Sequence, residues 1–319
     1  MRVNDFVHVA VAVIVVDGQV LIAKRPEHLH QGGLWEFPGG KLEPGESVTQ
    51  ALERELKEEL DITIKPERPL ISVSHDYGDK KVLLDVWLVH HFEGRPCGYE
   101  GQTIAWVPLG ELNKRKFPVA NEPIITALNL PEFYLISPEP DLEYWHEYSV
   151  KLESALKRGV RLVQFRAKNL TAEQYFACAQ QLEKLTAAYK ARLVLNTSPD
   201  VFQAYVDKIK TVALHLSTEH LLSCQHRPVD KNILLSASCH NLAEVRHAQL
   251  IGADFITLSP VKPTTTHPGM KPMGLDTFKA LVADCKKPVY ALGGLVSDDL
   301  AEVLDAGGQG VAAIRGLWY

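Results

Sequence analysis

One stretch of the sequence, from Gly39 to Ile62, constrains the fold most, because it joins a glycine-containing turn to a long amphipathic helix. Ser47 follows the turn and suits the helix N-cap, and Gln50 stands three residues further on, as in a capping box. From there an apolar residue recurs every four positions, which gives the helix one apolar stripe to pack against a core. The stripe consists of Val48, Leu52, Leu56 and Leu60.

The same helix carries three glutamates on an adjoining face. Glu55, Glu58 and Glu59 are spaced i, i+3 and i+4, so their side chains are neighbours. Carboxylates this close repel one another unless a cation lies between them, and oxygen ligands select a hard ion such as Mg2+ or Mn2+. A solvated acidic helix face is the alternative interpretation of the charges alone.

The spacing within this stretch is more specific than its charge. It fits the pattern G-x5-E-x7-R-E-U-x-E-E-x-G-U, where U is aliphatic, at eight of the nine defined positions. The departure is Asp61 in place of glycine, at a helix C-terminus where a left-handed residue is common and aspartate is tolerated. The stretch resembles the Nudix box of the Nudix hydrolases, which implies an α/β/α Nudix sandwich. We expect Arg54 to pair with Glu46 and Glu58 and so to hold the turn against the helix.

Length and composition limit the remaining possibilities. With 319 residues, 46% of them apolar, the chain is long enough for two domains with full cores. The net charge of -5 argues against direct nucleic-acid binding, which needs a basic surface. The five cysteines are scattered without a C-x-x-C pair, and the apolar run 9–16 is too short to span a membrane. We therefore expect a soluble cytoplasmic protein with no membrane partner, with domains at 1–130 and 132–319 on either side of Pro131.

Residues 5–130 resemble the MutT-type Nudix hydrolases in four further segments. These are Arg25-Pro-Glu-His-Leu-His, Trp35-Glu-Phe-Pro-Gly-Gly-Lys, Tyr99-Glu-Gly-Gln and Phe117-Pro-Val-Ala-Asn-Glu-Pro. The resemblance implies hydrolysis of 8-oxo-dGTP to the monophosphate and pyrophosphate. It also implies that the carbonyl of Gly39 and the carboxylate of Glu100 join the helix glutamates around Mg2+ or Mn2+. Glu55 and Glu100 are then both candidates for the base that deprotonates or orients the attacking water.

Three side chains are candidates for binding the nucleotide, the expected small-molecule partner. Arg25 follows a strand and suits a triphosphate contact, with a plain surface arginine as the alternative. Asn121 can donate and accept, so it can bind the edge of an oxidised purine, although its place before Glu122 also suits a helix N-cap. Phe37 either stacks on the base or packs beneath it.

From residue 132 onward, apolar β-rich runs alternate with helical stretches. Continuous apolar strands with helical crossovers indicate a buried parallel sheet, and eight of them predict a TIM (β/α)8 barrel with its active site at the C-terminal ends of the strands. The strands are expected at Phe133–Ile136, Arg161–Phe165, Arg192–Leu195, Thr211–Leu216, Ile233–Ser236, Ala253–Ser259, Pro288–Leu292 and Gly310–Ile314.

The segments that follow these strands resemble thiamine phosphate synthase and its TenI relatives. The resemblance implies a phosphate cradled by backbone amides at Gly293, Gly294 and the loop after Ile314. His240 resembles a histidine used by TenI-type thiazole tautomerases, and a structural loop histidine is the alternative. The candidate ligand-binding residues of the barrel are Arg166, Lys168, His240, Gly293, Gly294 and Arg315.

The barrel departs from the synthase pattern at two acidic positions. The resemblance implies two aspartates, after strands three and four, that hold the Mg2+ of a pyrophosphate substrate, and this chain has Thr197 and His220 there. Without both carboxylates, the barrel lacks the ligands for the Mg2+ that would neutralise the charge of a pyrophosphate. We therefore expect a degenerate TenI-like or ligand-binding domain for a thiamine-related phosphate.

Three hypotheses for the whole chain follow. The first is a hydrolase that removes oxidised nucleotides from the precursor pool, with the barrel appended. The second keeps the Nudix chemistry and makes a thiamine-related diphosphate its substrate. The third makes the protein bifunctional, with the barrel as an enzyme or binding module for thiazole phosphate or thiamine phosphate.

Overall fold

The computed structural model describes residues 6–28, 30–209, 212–264, 269 and 271–318. The chain divides into two compact units, one that ends at Asn129 and one that begins at Leu130. The first unit is built on a mixed sheet and the second on a closed parallel barrel.

The first unit has nine strands and two α-helices in its described part. The strands are β1 (Val7–Val16), β2 (Gln19–Lys24), β3 (Trp35–Glu36), β4 (Gly39–Lys41), β5 (Thr63–Ile64), β6 (Arg68–Asp76), β7 (Lys81–Val89), β8 (Phe92–Glu93) and β9 (Ile104–Pro108). The α-helices are α1 (Val48–Leu60) and α2 (Glu122–Asn129), and 3-10 turns lie at Leu109–Lys114 and Val119–Asn121. The main sheet runs in the order β3-β2-β1-β7-β6, with β4 on β1 and β9 on β2.

Strand β1 separates the two cores of this unit. Alternate side chains of a strand point to opposite faces of its sheet. Ala10 and Ile14 accordingly pack with the buried stripe of α1, whereas Val11 and Val13 pack in a second cluster that contains Ile124 of α2. Helices on both faces of the sheet give the α/β/α sandwich expected from the sequence. The pairing of β4 with β1 places the glycine-containing turn before α1 against β1.

The second unit closes eight parallel strands into a barrel. They are β10 (Phe133–Ile136), β11 (Leu162–Phe165), β12 (Arg192–Asn196), β13 (Val212–Leu216), β14 (Leu235–Cys239), β15 (Phe255–Leu258), β16 (Val289–Leu292) and β17 (Gly310–Ala313), paired in chain order with β17 against β10. The helices are α3 (Trp145–Lys157), α4 (Ala172–Ala188), α5 (Pro199–Tyr205), α6 (Thr218–Ser223), α7 (Leu242–Leu250), α8 (Gly274–Ala283) and α9 (Leu300–Asp305), with 3-10 turns at Leu142–Tyr144, Val206–Lys208 and Ser297–Asp299. Among these described helices, none combines the length and hydropathy needed to cross a bilayer.

The fold class expected from the sequence is confirmed, including all eight barrel strands. Strand β14 differs most from expectation: it begins two residues later and runs to Cys239, because the N–H of Ile233 bonds to Asp230 in a turn. Thr211, the expected start of the fourth strand, lies outside the described residues. The barrel interior is filled by large side chains, with Tyr134, Phe255 and Tyr290 fully buried.

Candidate active site and barrel cavity

The ends of helix α1 follow the chemistry of their sequence. Ser47 caps the N-terminus: its hydroxyl accepts from the N–H of Gln50 at 3.3 Å, and its own N–H donates to the Gln50 side chain at 2.9 Å. At the other end Asp61 takes the left-handed conformation, with φ 53° and ψ 37°, and its N–H bonds back into the last turn. An aspartate therefore fills the position where the Nudix pattern has glycine, without altering the geometry of the helix end.

Arg54 ties the turn to the helix. Its Nε and Nη2 donate to the two carboxylate oxygens of Glu46 at 2.9 Å each, and its Nη1 donates to Glu55 at 2.8 Å. It also lies 3.5 Å from Glu58 and 3.1 Å from the carbonyl of Lys41. The hydrogen bonds from Arg54 are the main reason why the pKa of Glu46 is lowered. The expected pairing of Arg54 with Glu46 and Glu58 is thus present.

Glu59 lies at the centre of a set of carboxylates. Burial, with repulsion from Glu55, Glu36 and Glu100, raises the pKa of Glu59 to about 8, while an N–H bond from Gly39 acts in the opposite direction. Burial also raises the pKa of Glu36, which the ion pair with Arg25 opposes. Glu36 is a member of this group that the sequence pattern did not reveal.

Glu100 reaches this region because its loop is fastened to the end of α1. The carbonyl of Glu59 accepts from the N–H of Tyr99 at 2.9 Å and from the Gln102 side chain at 3.0 Å. The Gln102 carbonyl oxygen in turn accepts from the N–H of Glu100 at 3.0 Å. Glu58 differs from the others, since its side chain is mostly exposed and directed at Arg54. Within the described residues, no group of three or more His, Cys, Asp or Glu side chains is arranged as a ready-made metal cage.

The two glycines of the turn make room for this arrangement in different ways. A Cβ on Gly40 would lie 2.0 Å from the carboxylate carbon of Glu55, so only glycine leaves that carboxylate its place. Gly39 has φ 143°, and a Cβ there would lie 2.1 Å from the backbone oxygen of Ala10. The missing Cβ of Gly40 therefore makes room for the Glu55 side chain, whereas the missing Cβ of Gly39 makes room for the backbone of β1.

The proposed nucleotide contacts lie in distinct environments. Arg25 forms an ion pair with Glu36, and its Nε donates to the carbonyl of His30 at 3.1 Å. Phe37 is 3% exposed and stacks on Phe117 with ring centroids 5.5 Å apart, so it packs beneath the surface. Of the two roles considered for Phe37, this position favours packing beneath a base over stacking on it.

Asn121 is buried at the end of a 3-10 turn, and helix α2 begins at the next residue. Its backbone N–H bonds to Pro118, but among the described residues its side-chain amide has no hydrogen-bond partner. Tyr77 bonds to the backbone of Ala120 beside it and lies within electrostatic range of Arg25. Tyr77 thus lies beside the turn that carries Asn121, and Arg25, whose charge reaches Tyr77, pairs with Glu36. Tyr77 was not foreseen from the sequence.

The barrel has a cavity of about 1000 Å³ at the C-terminal ends of its strands. All six residues proposed for the barrel line it: Arg166, Lys168, His240, Gly293, Gly294 and Arg315. Gly293 and Gly294 have φ 100° and 69°, and a Cβ on Gly294 would lie 2.4 Å from the carbonyl oxygen of Pro263. Both glycines are therefore required by backbone conformation and by close approach to the loop after β15.

His240 is held by a carboxylate of helix α7, which begins two residues further on. Its Nδ1 lies 3.0 Å from Glu244 and 3.1 Å from the Thr218 hydroxyl, and its backbone N–H donates to the same Glu244 at 2.6 Å. A histidine oriented in this way can act as an acid or a base towards a ligand in the cavity. Glu244 and Thr218 thus fix the orientation of the His240 ring, which an isolated loop histidine would lack.

Comparison with known proteins separates the same two parts of the chain. A family model described as thiamine monophosphate synthase matches residues 133–317, and one described as a NUDIX domain matches residues 10–127. The 8-oxo-dGTP diphosphatase of Escherichia coli (strain K12) is 40% identical over 112 residues, which are 35% of this chain and 87% of the relative. The putative thiamine-phosphate synthase 2 of Aquifex aeolicus (strain VF5) is 34% identical over 187 residues, 59% of this chain and 97% of the relative. The chain belongs to both families.

Among solved structures, the MutT NUDIX hydrolase of Burkholderia pseudomallei is 30% identical, covers 37% of this chain and 95% of that one, and has a TM-score of 0.35. The two regions matched by the family models make the protein a fusion of a Nudix domain and a thiamine monophosphate synthase-like domain. In the Nudix domain the turn, the capped helix and Arg54 agree with the sequence pattern. In the synthase-like domain Thr197 and His220 line the cavity at the two positions where the resemblance implies acids.

Proposed function

We propose that the Nudix domain hydrolyses oxidised purine nucleoside triphosphates, 8-oxo-dGTP above all, to the monophosphate and pyrophosphate. This activity would remove damaged precursors before DNA synthesis. The observation that carries the proposal is that one compact unit holds both the carboxylates around Glu59 and the buried amide of Asn121, which has no partner among the described residues. Arg25 pairs with Glu36 of the carboxylate group, and its charge reaches Tyr77 beside Asn121. The carboxylates suit the cation that accompanies a charged phosphate chain, and the amide of Asn121 suits the polar edge of a base. The similarity to an 8-oxo-dGTP diphosphatase supports the same assignment.

The residues present fit a hard divalent cation. A buried glutamate that is repelled by three neighbouring carboxylates gains from a positive charge beside it. Glu55, Glu58, Glu59, Glu100 and the Gly39 carbonyl would hold Mg2+ or Mn2+. When bound, such an ion neutralises phosphate charge and lowers the pKa of water.

The protein's own groups divide the remaining work. Arg54 fixes the turn and orients Glu55 through a 2.8 Å hydrogen bond. Glu55 or Glu100 accepts the proton of the attacking water. Asn121 binds the altered edge of the purine, and discrimination arises because an undamaged base would leave its buried amide unpaired.

The test is a comparison of kcat/KM for 8-oxo-dGTP, dGTP and thiamine diphosphate with Mg2+. The proposal requires the highest value for 8-oxo-dGTP. Glu55→Gln and Glu59→Gln should each lower turnover at least about a hundredfold, since each replaces a carboxyl group of the reacting centre with an amide. Wild-type turnover in both variants would show that the chemistry lies elsewhere.

A second candidate function concerns the barrel. The cavity with its glycine loops and the His240–Glu244 pair suits a thiamine-related phosphate, which would make the protein bifunctional. Calorimetry with thiazole phosphate tests this, and absence of heat at millimolar ligand would count against it. Were thiamine diphosphate the best Nudix substrate, both domains would instead act on thiamine-related phosphates.

A further inference from the structure

The cavity wall between strands β11 and β13 is cationic. Arg166 and Lys168 follow β11, Thr197 follows β12, and His220 lies in α6 after β13. These three strands are direct neighbours in the barrel. Their C-terminal ends therefore bring one guanidinium, one ammonium and one imidazole to a single side of the cavity. We call these residues, Arg166, Lys168 and His220, the cationic sector.

Carboxylates are scarce in the same cavity. Among the described lining residues the only one is Glu219, whose side chain is exposed. Glu139 lies close by, but its two oxygens accept from the N–H groups of Lys168 and Asn169 at 2.8 to 3.0 Å. The undescribed residues 265–268 and 270 contain no Asp or Glu in the sequence. The magnesium that the synthase resemblance implies therefore does not fit this cavity, because its oxygen ligands are missing.

The sector is positioned by contacts that leave its charges available. The N–H of Arg166 donates to the Ser137 hydroxyl at 3.1 Å, and Glu139 fixes the backbone at Lys168. In the described structure no carboxylate pairs with either of these two side chains. The Nδ1 atom of His220 is buried without a hydrogen-bond partner. An unpaired buried polar atom is costly, and a bound ligand is one way to satisfy it.

We propose that the cationic sector binds a phosphate or pyrophosphate group directly, with the charges of the protein in place of a divalent cation. Arg166 donates in a fork to phosphate oxygens, and Lys168 and His220 add further donors. Gly293, Gly294 and Arg315 lie across the barrel, at the ends of β16 and β17. The ligand class is thus a small organic molecule with a phosphate or diphosphate group. This inference is independent of the Nudix activity.

The experiment is titration calorimetry of the full chain with inorganic pyrophosphate, first in EDTA and then in Mg2+. Arg166→Gln and Lys168→Gln each remove one charge from the sector. Arg246→Gln is the matched control, because Arg246 is exposed on α7 and lies outside the cavity lining. Heat that Arg166→Gln reduces and that Glu59→Gln in the Nudix domain leaves unchanged is assigned to the barrel, so pyrophosphate bound by the Nudix domain does not enter the comparison.

In EDTA the wild type should bind pyrophosphate, with an affinity within about threefold of that in Mg2+. Arg166→Gln and Lys168→Gln should weaken it at least about tenfold, as the loss of one charge-assisted contact implies, and Arg246→Gln should not. The double variant Thr197→Asp/His220→Asp should bind poorly in EDTA and regain affinity with Mg2+. A thermal melt checks that each variant is folded, and the single variants decide the matter if the double variant is not.

Two results would overturn the proposal. Barrel-assigned heat that appears only with Mg2+ would show that the cavity needs a metal ion after all. Equal affinities of wild type, Arg166→Gln and Lys168→Gln would show that pyrophosphate does not occupy the sector.

Discussion

Gly40→Ala is a small change with a large expected effect on catalysis. The added Cβ would lie 2.0 Å from the carboxylate carbon of Glu55 and 2.2 Å from each of its oxygens. Ordinary carbon contacts are about 3.5 Å or longer, so the carboxylate must move by about 1.5 Å. A misplacement of this size costs about a hundredfold in rate, or about 2.7 kcal/mol of transition-state stabilisation.

The effect on stability should be much smaller. The clash is with the end of a flexible side chain, and the interaction that it breaks is the 2.8 Å hydrogen bond from Arg54 to Glu55. Both side chains are partly exposed, and such pairs contribute about 1 kcal/mol or less. Gly40→Ala should therefore melt within a few degrees of wild type. By contrast, Gly39→Ala should lose stability as well, because its Cβ meets the backbone of Ala10.

The assay is kcat/KM for 8-oxo-dGTP with saturating Mg2+, accompanied by a thermal melt of the Nudix domain in the full chain. Gly110→Ala is the matched control, since nothing lies within 4 Å of a Cβ built there. It should retain kcat/KM within about twofold, as surface substitutions usually do. If Gly40→Ala kept wild-type kcat/KM while folded, the position of Glu55 would not matter and the catalytic role given to it would be wrong.

Three further predictions concern other parts of the molecule. Asn121→Ala should lower the ratio of kcat/KM for 8-oxo-dGTP to that for dGTP, measured by competition, at least about tenfold. The change in kcat for dGTP should be smaller, since the variant lacks the amide and keeps the carboxylates. An unchanged ratio would contradict the role of Asn121. Gly294→Ala should destabilise the barrel by about 1–3 kcal/mol in urea unfolding, because φ 69° and the close approach to Pro263 disfavour a side chain, and unchanged stability would refute this. Burial lowers the pKa of His215 to about 3, and the ring nitrogens lie 2.8 Å from the hydroxyls of Ser236 and Ser238. The ring should therefore stay neutral in NMR titrations from pH 8 to pH 5. Its signal is identified as the one that is lost in His215→Gln. In the unfolded chain the His215 ring takes up a proton below about pH 6.5. The contribution of the neutral, buried ring to the free energy of unfolding is therefore complete above this pH and declines below it, by up to about 1.4 kcal/mol per pH unit. Protonation of the folded ring near pH 6 would contradict the assignment.

Local sequence chemistry predicted much of what the structure contains. The capping box of Ser47 and Gln50, the left-handed Asp61 and the pairing of Arg54 with Glu46 depend on residues within one turn and one helix. The eight barrel strands were predictable for a related reason, since strands buried on both faces are continuously apolar. Such features are encoded over short distances along the chain.

Contacts between distant segments could not be predicted in the same way. Glu36 joins the carboxylates around Glu59 through sheet pairing, and Tyr77 reaches the backbone beside Asn121. Glu139 is another case, because its carboxylate binds backbone N–H groups about thirty residues further on. A glutamate or tyrosine in a strand carries no sign of such a partner in the sequence.

We propose above all that the carboxylates around Glu59 and the amide of Asn121 form one site for an oxidised purine nucleotide. The most direct measurement is the ratio of kcat/KM for 8-oxo-dGTP to that for thiamine diphosphate, in wild type and in Glu59→Gln, with Mg2+ present. We expect a ratio well above one in wild type and a loss of 8-oxo-dGTP hydrolysis of at least about a hundredfold in the variant. Faster hydrolysis of thiamine diphosphate, or undiminished hydrolysis of 8-oxo-dGTP by Glu59→Gln, would contradict it.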